Sequence, residues 1–187
     1  MELILKNICK SYGDKKVLEN FNLHLKDEKI CLIGRSGSGK TTLIKIISGQ
    51  IRPDKGQIIS SEPLKPSIVF QDNLLFENKS VRENLSFVKE LTDFKYEREL
   101  NQVGLFNLLD MKVGELSGGM KRRISFIRAS IYEGNILLMD EAIREVDEDT
   151  RILMLNYINK NLKSPLIYVS HRLEDAEILG ARVINIE

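Results

Sequence analysis

Gly34, Arg35, Ser36, Gly37, Ser38, Gly39, Lys40 and Thr41, with Thr42 behind them, stand between a short apolar run and an apolar-periodic one. No other part of the chain limits its fold as strongly. The segment matches G-x-x-x-x-G-K-[ST], with a strand pattern before it and a helix pattern after it. Its glycines let the backbone curl until successive N–H groups converge on an anion, and the following helix adds the positive end of its dipole. Lys40 is placed to reach the β- and γ-phosphates of a nucleotide, and the Thr41 hydroxyl to ligate Mg2+. The competing reading is a glycine-rich turn that fits by accident. With glycine near 7% of residues, such a match occurs in roughly one chain in a hundred of this length. The strand–loop–helix setting makes the accident rarer still. By itself the loop leaves kinases, GTPases and ATPases open.

The rest of the chain is read around that loop. Residues 3–8 and 17–25 alternate loosely between apolar and polar, with a turn signal at 11–14, so residues 1 to about 28 are expected to form an antiparallel meander. Residues 29–33 form a strand running into the loop, and 41–48 a helix ended by Gly49. Short strands are expected at 57–60 and 67–70, separated by a segment holding Pro63 and Pro66. From about residue 72 the chain turns rich in Glu, Lys, Asn and Leu at helical spacing. Strands return at 135–139, 166–169 and 182–186, with helices at 149–162 and 173–179. Strands alternating with helices imply a buried, mostly parallel α/β sheet.

Apolar residues 136–139 end in Asp140 and Glu141. Ligands of parallel sheets sit at the carboxyl ends of strands, which brings this pair beside the phosphate loop. Asp140 is suited to hold Mg2+, directly or through water, and Glu141 to polarise an attacking water as general base. A solvated acidic turn after a strand is the alternative.

Residues 116–120 read Leu-Ser-Gly-Gly-Met and open a helix pattern. Here the chain resembles the nucleotide-binding subunit of ABC transporters, whose signature is L-S-G-G-Q, and the resemblance runs in the right order over nearly the whole chain. It implies a P-loop NTPase core with an N-terminal antiparallel β subdomain. A helical signature subdomain would span approximately 72–130, inside one domain of 187 residues. It implies ATP and Mg2+ as ligands. Tyr12 sits where the family stacks an aromatic on adenine, a core tyrosine near a turn being the alternative. Gln71, in Val-Phe-Gln-Asp, matches the Q-loop glutamine that senses Mg2+ and the membrane partner. His171, in Val-Ser-His-Arg, matches the switch histidine at the γ-phosphate, and Asp147 matches the end of the D-loop. Ser117, Gly118 and Gly119 form a second anion site at a helix N-terminus. In the family that site caps the γ-phosphate held by another subunit, so a head-to-tail dimer encloses two ATPs.

The chain departs from the family in places. Met120 replaces the signature Gln. Residues 142–147 replace the usual D-loop, with Arg144 where a small residue crosses the dimer interface, and the stretch from Gly56 to Gln71 is short. With the chain ending soon after its last strand, this reads as a minimal version without a regulatory tail.

The resemblance makes the chain an ATPase that powers a transporter through ATP-driven dimerisation. A second subunit of its kind and integral membrane permease subunits are the implied partners. Leu74, Leu75 and Phe76 would either help take the transporter's cytoplasmic helix or pack in a core. A soluble ABC ATPase that remodels a complex is the second reading, and a regulatory module without turnover the third. Intact Lys40, Asp140, Glu141 and His171 oppose the third.

With 28 basic and 27 acidic residues the net charge is +1, which gives no electrostatic case for nucleic acid. The basic run Lys121, Arg122, Arg123 reads as a solvated helix face, since no aromatics interleave. Cys9 and Cys31 read as two buried, reduced thiols. No apolar run approaches the roughly 20 residues that span a bilayer. The start of the chain lacks a signal-peptide pattern. A cytoplasmic protein held at the membrane by its permease partner is the expectation.

Overall fold

The computed structural model describes residues 1–143 and 146–186. The chain forms two compact units. One takes Met1–Ile68, Gly134–Glu141 and the chain from Lys163 on; the other takes Val69–Glu133 and Ala142–Leu162.

The first unit opens with an antiparallel sheet of β1 (Glu2–Tyr12), β2 (Lys15–Lys26) and β4 (Lys55–Ser60), in the order β2-β1-β4. The meander therefore takes its third strand from beyond the phosphate loop. Leu5 faces Leu23 on one side and Ile58 on the other. Alternation in β1 is loose because a register shift falls between Leu5 and Ile8, where Asn7 adopts φ 51 and donates its N–H to Asn22 Oδ1. The bulge inserts one extra residue, so Ile8 returns to the face that buries Leu3 and Leu5. Asn tolerates the left-handed region that the bulge demands.

The second sheet runs β5 (Pro66–Val69), β6 (Ile136–Asp140), β7 (Leu166–Val169), β3 (Lys29–Ile33) and β8 (Arg182–Asn185), in that order. The pairs β3–β7, β3–β8 and β6–β7 are parallel. Every residue of β6 and β7 is buried, as expected for strands covered on both faces. Helix α1 (Lys40–Ile47) buries Leu43, Ile44, Ile46 and Ile47, and Gly49 ends it at φ 76. Leu3, Leu25, Ile30, Leu43, Leu138 and Ile167 belong to one continuous apolar core. Cys31 is buried, which pushes its thiol up to about 12 and keeps it protonated. Cys9 departs from the expectation: it is half-buried, and its Sγ accepts from the Asn20 N–H at 3.3 Å.

The second unit holds α2 (Val81–Ser86), α3 (Asp93–Asn101), a short 3-10 turn (Val113–Glu115), α4 (Gly118–Ile131) and α5 (Glu148–Asn161). Ser80 and Glu83 close a capping box at the start of α2. Phe126 of α4 meets Tyr157 of α5 edge-on at 5.4 Å. The Tyr157 hydroxyl donates to the buried Glu99 Oε2 of α3 at 2.8 Å, so the burial of that carboxylate is met by a hydrogen bond. Helix α6 (Leu173–Leu179), in the first unit, lies between β7 and β8 in sequence.

Candidate nucleotide site

The loop after β3 has the shape its sequence requires. Gly37 and Gly39 sit at φ 81 and 97. At Gly34 an added Cβ would stand 2.1 Å from the Ile186 carbonyl oxygen, so only glycine fits. Gly39 caps α1 without a side-chain hydrogen bond, and no acidic residue stands in the first turn. The positive end of α1 thus faces the loop without a side-chain anion of its own. Lys40 is 5% exposed, and its Nζ donates to the Gly34 and Arg35 carbonyls at 2.8 Å each. Its ammonium therefore braces the loop from within.

Sheet register brings the other groups to this loop. Leu32 of β3 and Asp140 of β6 both lie opposite Val169 of β7. The phosphate loop, the acidic pair and His171 therefore leave the sheet at one level, at the carboxyl ends of three adjacent strands. Asp140 is 8% exposed, and its Oδ1 is a buried atom with no hydrogen-bond partner among the described residues. Burial pushes its carboxyl above the usual range; a hydrogen bond with Thr41 pulls it back, Glu141 adds to the rise, and Lys40 and Lys45 oppose it. An orphaned carboxylate oxygen hydrogen-bonded through its residue to a threonine hydroxyl fits a hard divalent cation, which takes oxygen ligands and keeps several waters. Among the described residues no group of three or more His, Cys, Asp and Glu could hold a metal, so phosphate and water oxygens would complete the set. The Ser38 hydroxyl is likewise buried without a partner.

Glu141 adopts φ 49, a region costly for a residue with a side chain. That turn carries its Oε1 to 2.6 Å from His171 Nε2. Tyr12 is 51% exposed, with Lys10 Nζ 5.8 Å from its ring centre, so the core-tyrosine alternative is excluded.

The remaining residues singled out above lie in the second unit. Ser117 caps α4 by accepting from the Met120 N–H at 3.3 Å. A Cβ added at Gly118 or Gly119 would meet nothing within 4 Å. The chain's own packing thus gives no reason for either glycine. Gln71 exposes its side chain, while its backbone carbonyl accepts from Arg122, which also donates to the Phe70 carbonyl at 2.6 Å. Arg128 holds the Leu74 carbonyl at 2.8 Å. The basic run is consequently no solvated face. Arg122 is buried, Arg123 donates to the Gly119 and Val103 carbonyls, and Lys121 pairs with Glu77. Guanidinium groups can satisfy several loop carbonyls at once, and only the fold shows which carbonyls are left open. Leu74 and Phe76 are exposed rather than core, and the Phe76 ring lies 4.7 Å from that of Phe87. Asp147 caps α5 through the Thr150 N–H at 2.9 Å, whereas Arg144 lies outside the described residues.

A glycine-rich phosphate loop at the head of a buried parallel sheet, with carboxylates at the strand end two places along, defines a nucleotide-binding domain. A family model described as ABC transporter matches residues 18–144. The chain belongs to that family, as one of its ATP-binding proteins. It is 34% identical over 200 residues to a spermidine/putrescine import ATP-binding protein of Acetivibrio thermocellus, covering 96% of this chain and 57% of that one. It is 35% identical over 204 residues to the protein of the same name in Borreliella afzelii, covering 97% and 59%. The chain thus spans somewhat over half the length of these relatives. A solved ABC transporter ATP-binding protein from Pyrococcus furiosus shares the fold at TM-score 0.85 and 24% identity, over 100% of this chain and 98% of that one. ATP-binding proteins of this family are ATPases.

Proposed function

We propose that the chain hydrolyses ATP to drive a membrane importer, with Glu141 and His171 as the groups that act on the attacking water. The observation that carries this reading is their 2.6 Å contact at the ends of β6 and β7, the two strands to one side of the strand that feeds the phosphate loop. The loop N–H groups and Lys40 hold the phosphates in place. Tyr12 offers an exposed ring face to adenine, and Thr42 extends the loop's contacts into α1. The Glu141 carboxylate takes a proton from water as the water oxygen bonds to the γ-phosphorus. The bond from that phosphorus to the bridging oxygen breaks, and the electron pair leaves with ADP. His171 keeps Glu141 aimed. Thr41 and Asp140 would hold Mg2+, which supplies charge neutralisation on the phosphates when bound.

Ser117, Gly118 and Gly119 of a second subunit complete the γ-phosphate face, so ATP binding closes a dimer. The exposed Leu74 and Phe76 dock permease subunits. No helix among the described residues is long and apolar enough to cross a membrane. In this proposal the protein works on the cytoplasmic face through its permease partners, as the resemblance implies. Import is the direction carried by the names of the relatives.

Glu141→Gln tests this. Turnover is expected to fall by about 10²–10⁴-fold while ATP binding persists, because the carboxamide keeps the shape and loses the base. On size exclusion with ATP the variant is expected to run as a dimer. Unchanged turnover overturns Glu141 as the base; a chain that stays monomeric with ATP overturns the closing step.

A further inference from the structure

Asp175 is the most buried carboxylate of the first unit, at 1% exposure, and the reading above gives it no task. It sits in the first turn of α6, and its Oδ2 accepts two hydroxyls: Tyr168 at 2.9 Å and Ser170 at 2.5 Å. Both donors are themselves buried, at 3% and 4% exposure. The Ser170 hydroxyl has a second partner, since its Oγ accepts the Arg172 N–H at 3.0 Å. That bond closes a tight turn with His171 at its centre. On the other side the Ser170 N–H donates to the Leu32 carbonyl at 3.2 Å, on the strand that feeds the phosphate loop. The backbone of His171 is thus held from both neighbours, by one hydroxyl anchored on Asp175 and one amide anchored on β3. Its imidazole stays out in the open and meets Glu141.

A buried carboxylate with two hydroxyl donors is a costly arrangement that gives orientation when every member is satisfied. Hydrophobic burial alone would not aim the turn, because apolar contacts are not directional. We infer that Asp175, acting through Ser170 and oriented by Tyr168, is a positioning residue that sets where His171 stands relative to Glu141. At 1% exposure Asp175 is shut off from solvent and acts through its neighbours. It fixes the turn, the turn fixes the imidazole, and the imidazole aims the base. This rests on the proposed role of the Glu141–His171 pair.

Ser170→Ala, Ser170→Thr, His171→Ala and the double variant Ser170→Ala/His171→Ala test the inference in the full chain, with kcat and KM for ATP measured beside thermal melting. Ser170→Ala is expected to lower kcat about tenfold, the scale of a small misplacement of a catalytic group, with KM within about twofold. Ser170→Thr keeps the hydroxyl and is expected to recover most of the loss. In the His171→Ala background the Ser170→Ala change is expected to cost nothing further, because the residue it positions is gone. Asp175→Asn, which keeps one carbonyl acceptor, is expected to fall between the Thr and Ala variants. If His171→Ala lowers kcat but Ser170→Ala does not, or if the two losses multiply in the double variant, the positioning role is overturned and the His171 reading stands. If His171→Ala leaves kcat unchanged, both fall together. A Ser170→Ala chain that fails to fold moves the comparison to Asp175→Asn, under the same criteria.

Discussion

Gly34 shows how far a single residue can be read before its surroundings are known. The loop pattern calls for glycine there, and the curl of a phosphate loop gives one reason. The fold supplies another: the Ile186 carbonyl lies where a Cβ would go, at 2.1 Å. Gly34→Ala is therefore expected to cost about 1–3 kcal/mol, the usual range for forcing atoms into a packed site. Denaturant unfolding of the nucleotide-free chain reads this directly, and an alanine variant as stable as the natural chain contradicts the close approach. Lys40, Asp140, Glu141 and His171 were also legible as residues, since each follows a recognisable strand or loop. What the sequence could not show is how they stand. The left-handed backbone at Glu141 and the bracing of Lys40 on two carbonyls depend on chain segments far apart in sequence. Asp175 gave no signal at all, because one acidic residue in the first turn of a helix is ordinary.

Elements were legible where periodicity is strong. Helices α1, α5 and α6 fall within a residue of the expected spans. Strand β1 runs longer than expected because a bulge breaks its alternation without ending its pairing. Helix α4 was found, yet its role as a rivet was not. Arg122 and Arg128 tie it to the carbonyls of residues 70–74, and nothing in a run of basic residues tells a solvated face from a carbonyl clamp. Helix α5 carries a testable cap. Its Asp147 accepts the Thr150 N–H, and that bond foremost holds the carboxyl below the usual range. A depressed carboxyl stabilises the fold above its ordinary range near pH 4 and loses that contribution as pH falls through its lowered value. Asp147→Asn keeps a capping oxygen but no charge for the helix dipole. The variant is expected to melt below the natural chain at about pH 7, and the gap to narrow as pH falls below the ordinary carboxylate range. A gap that is absent at neutral pH, or that stays the same as pH falls, removes the charge from the account.

At the scale of the molecule, the proposal gives one chain two anion-binding loops, of which its own nucleotide needs one. The loop at residues 34–41 is braced by its own chain through Lys40 and Ile186. Around Gly118 and Gly119, by contrast, the chain leaves open space where side chains would fit. Glycines without an internal packing reason fit a surface that another molecule approaches closely. If that molecule is a second copy in head-to-tail array, each ATP lies between the Lys40 of one chain and the Ser117 of the other. Lys40→Ala and Ser117→Arg chains should then each be inactive alone, because both sites of either dimer lack one half. Mixed, they form heterodimers in which one site carries both lesions and the other carries none. With random pairing, half the dimers are mixed and each has one intact site, so turnover is expected to recover to about a quarter of the natural level. Recovery requires that the intact site works beside a dead one. Measured against the two variants kept apart, a mixture that gains nothing rules out a head-to-tail dimer in which one intact site turns over beside a dead one.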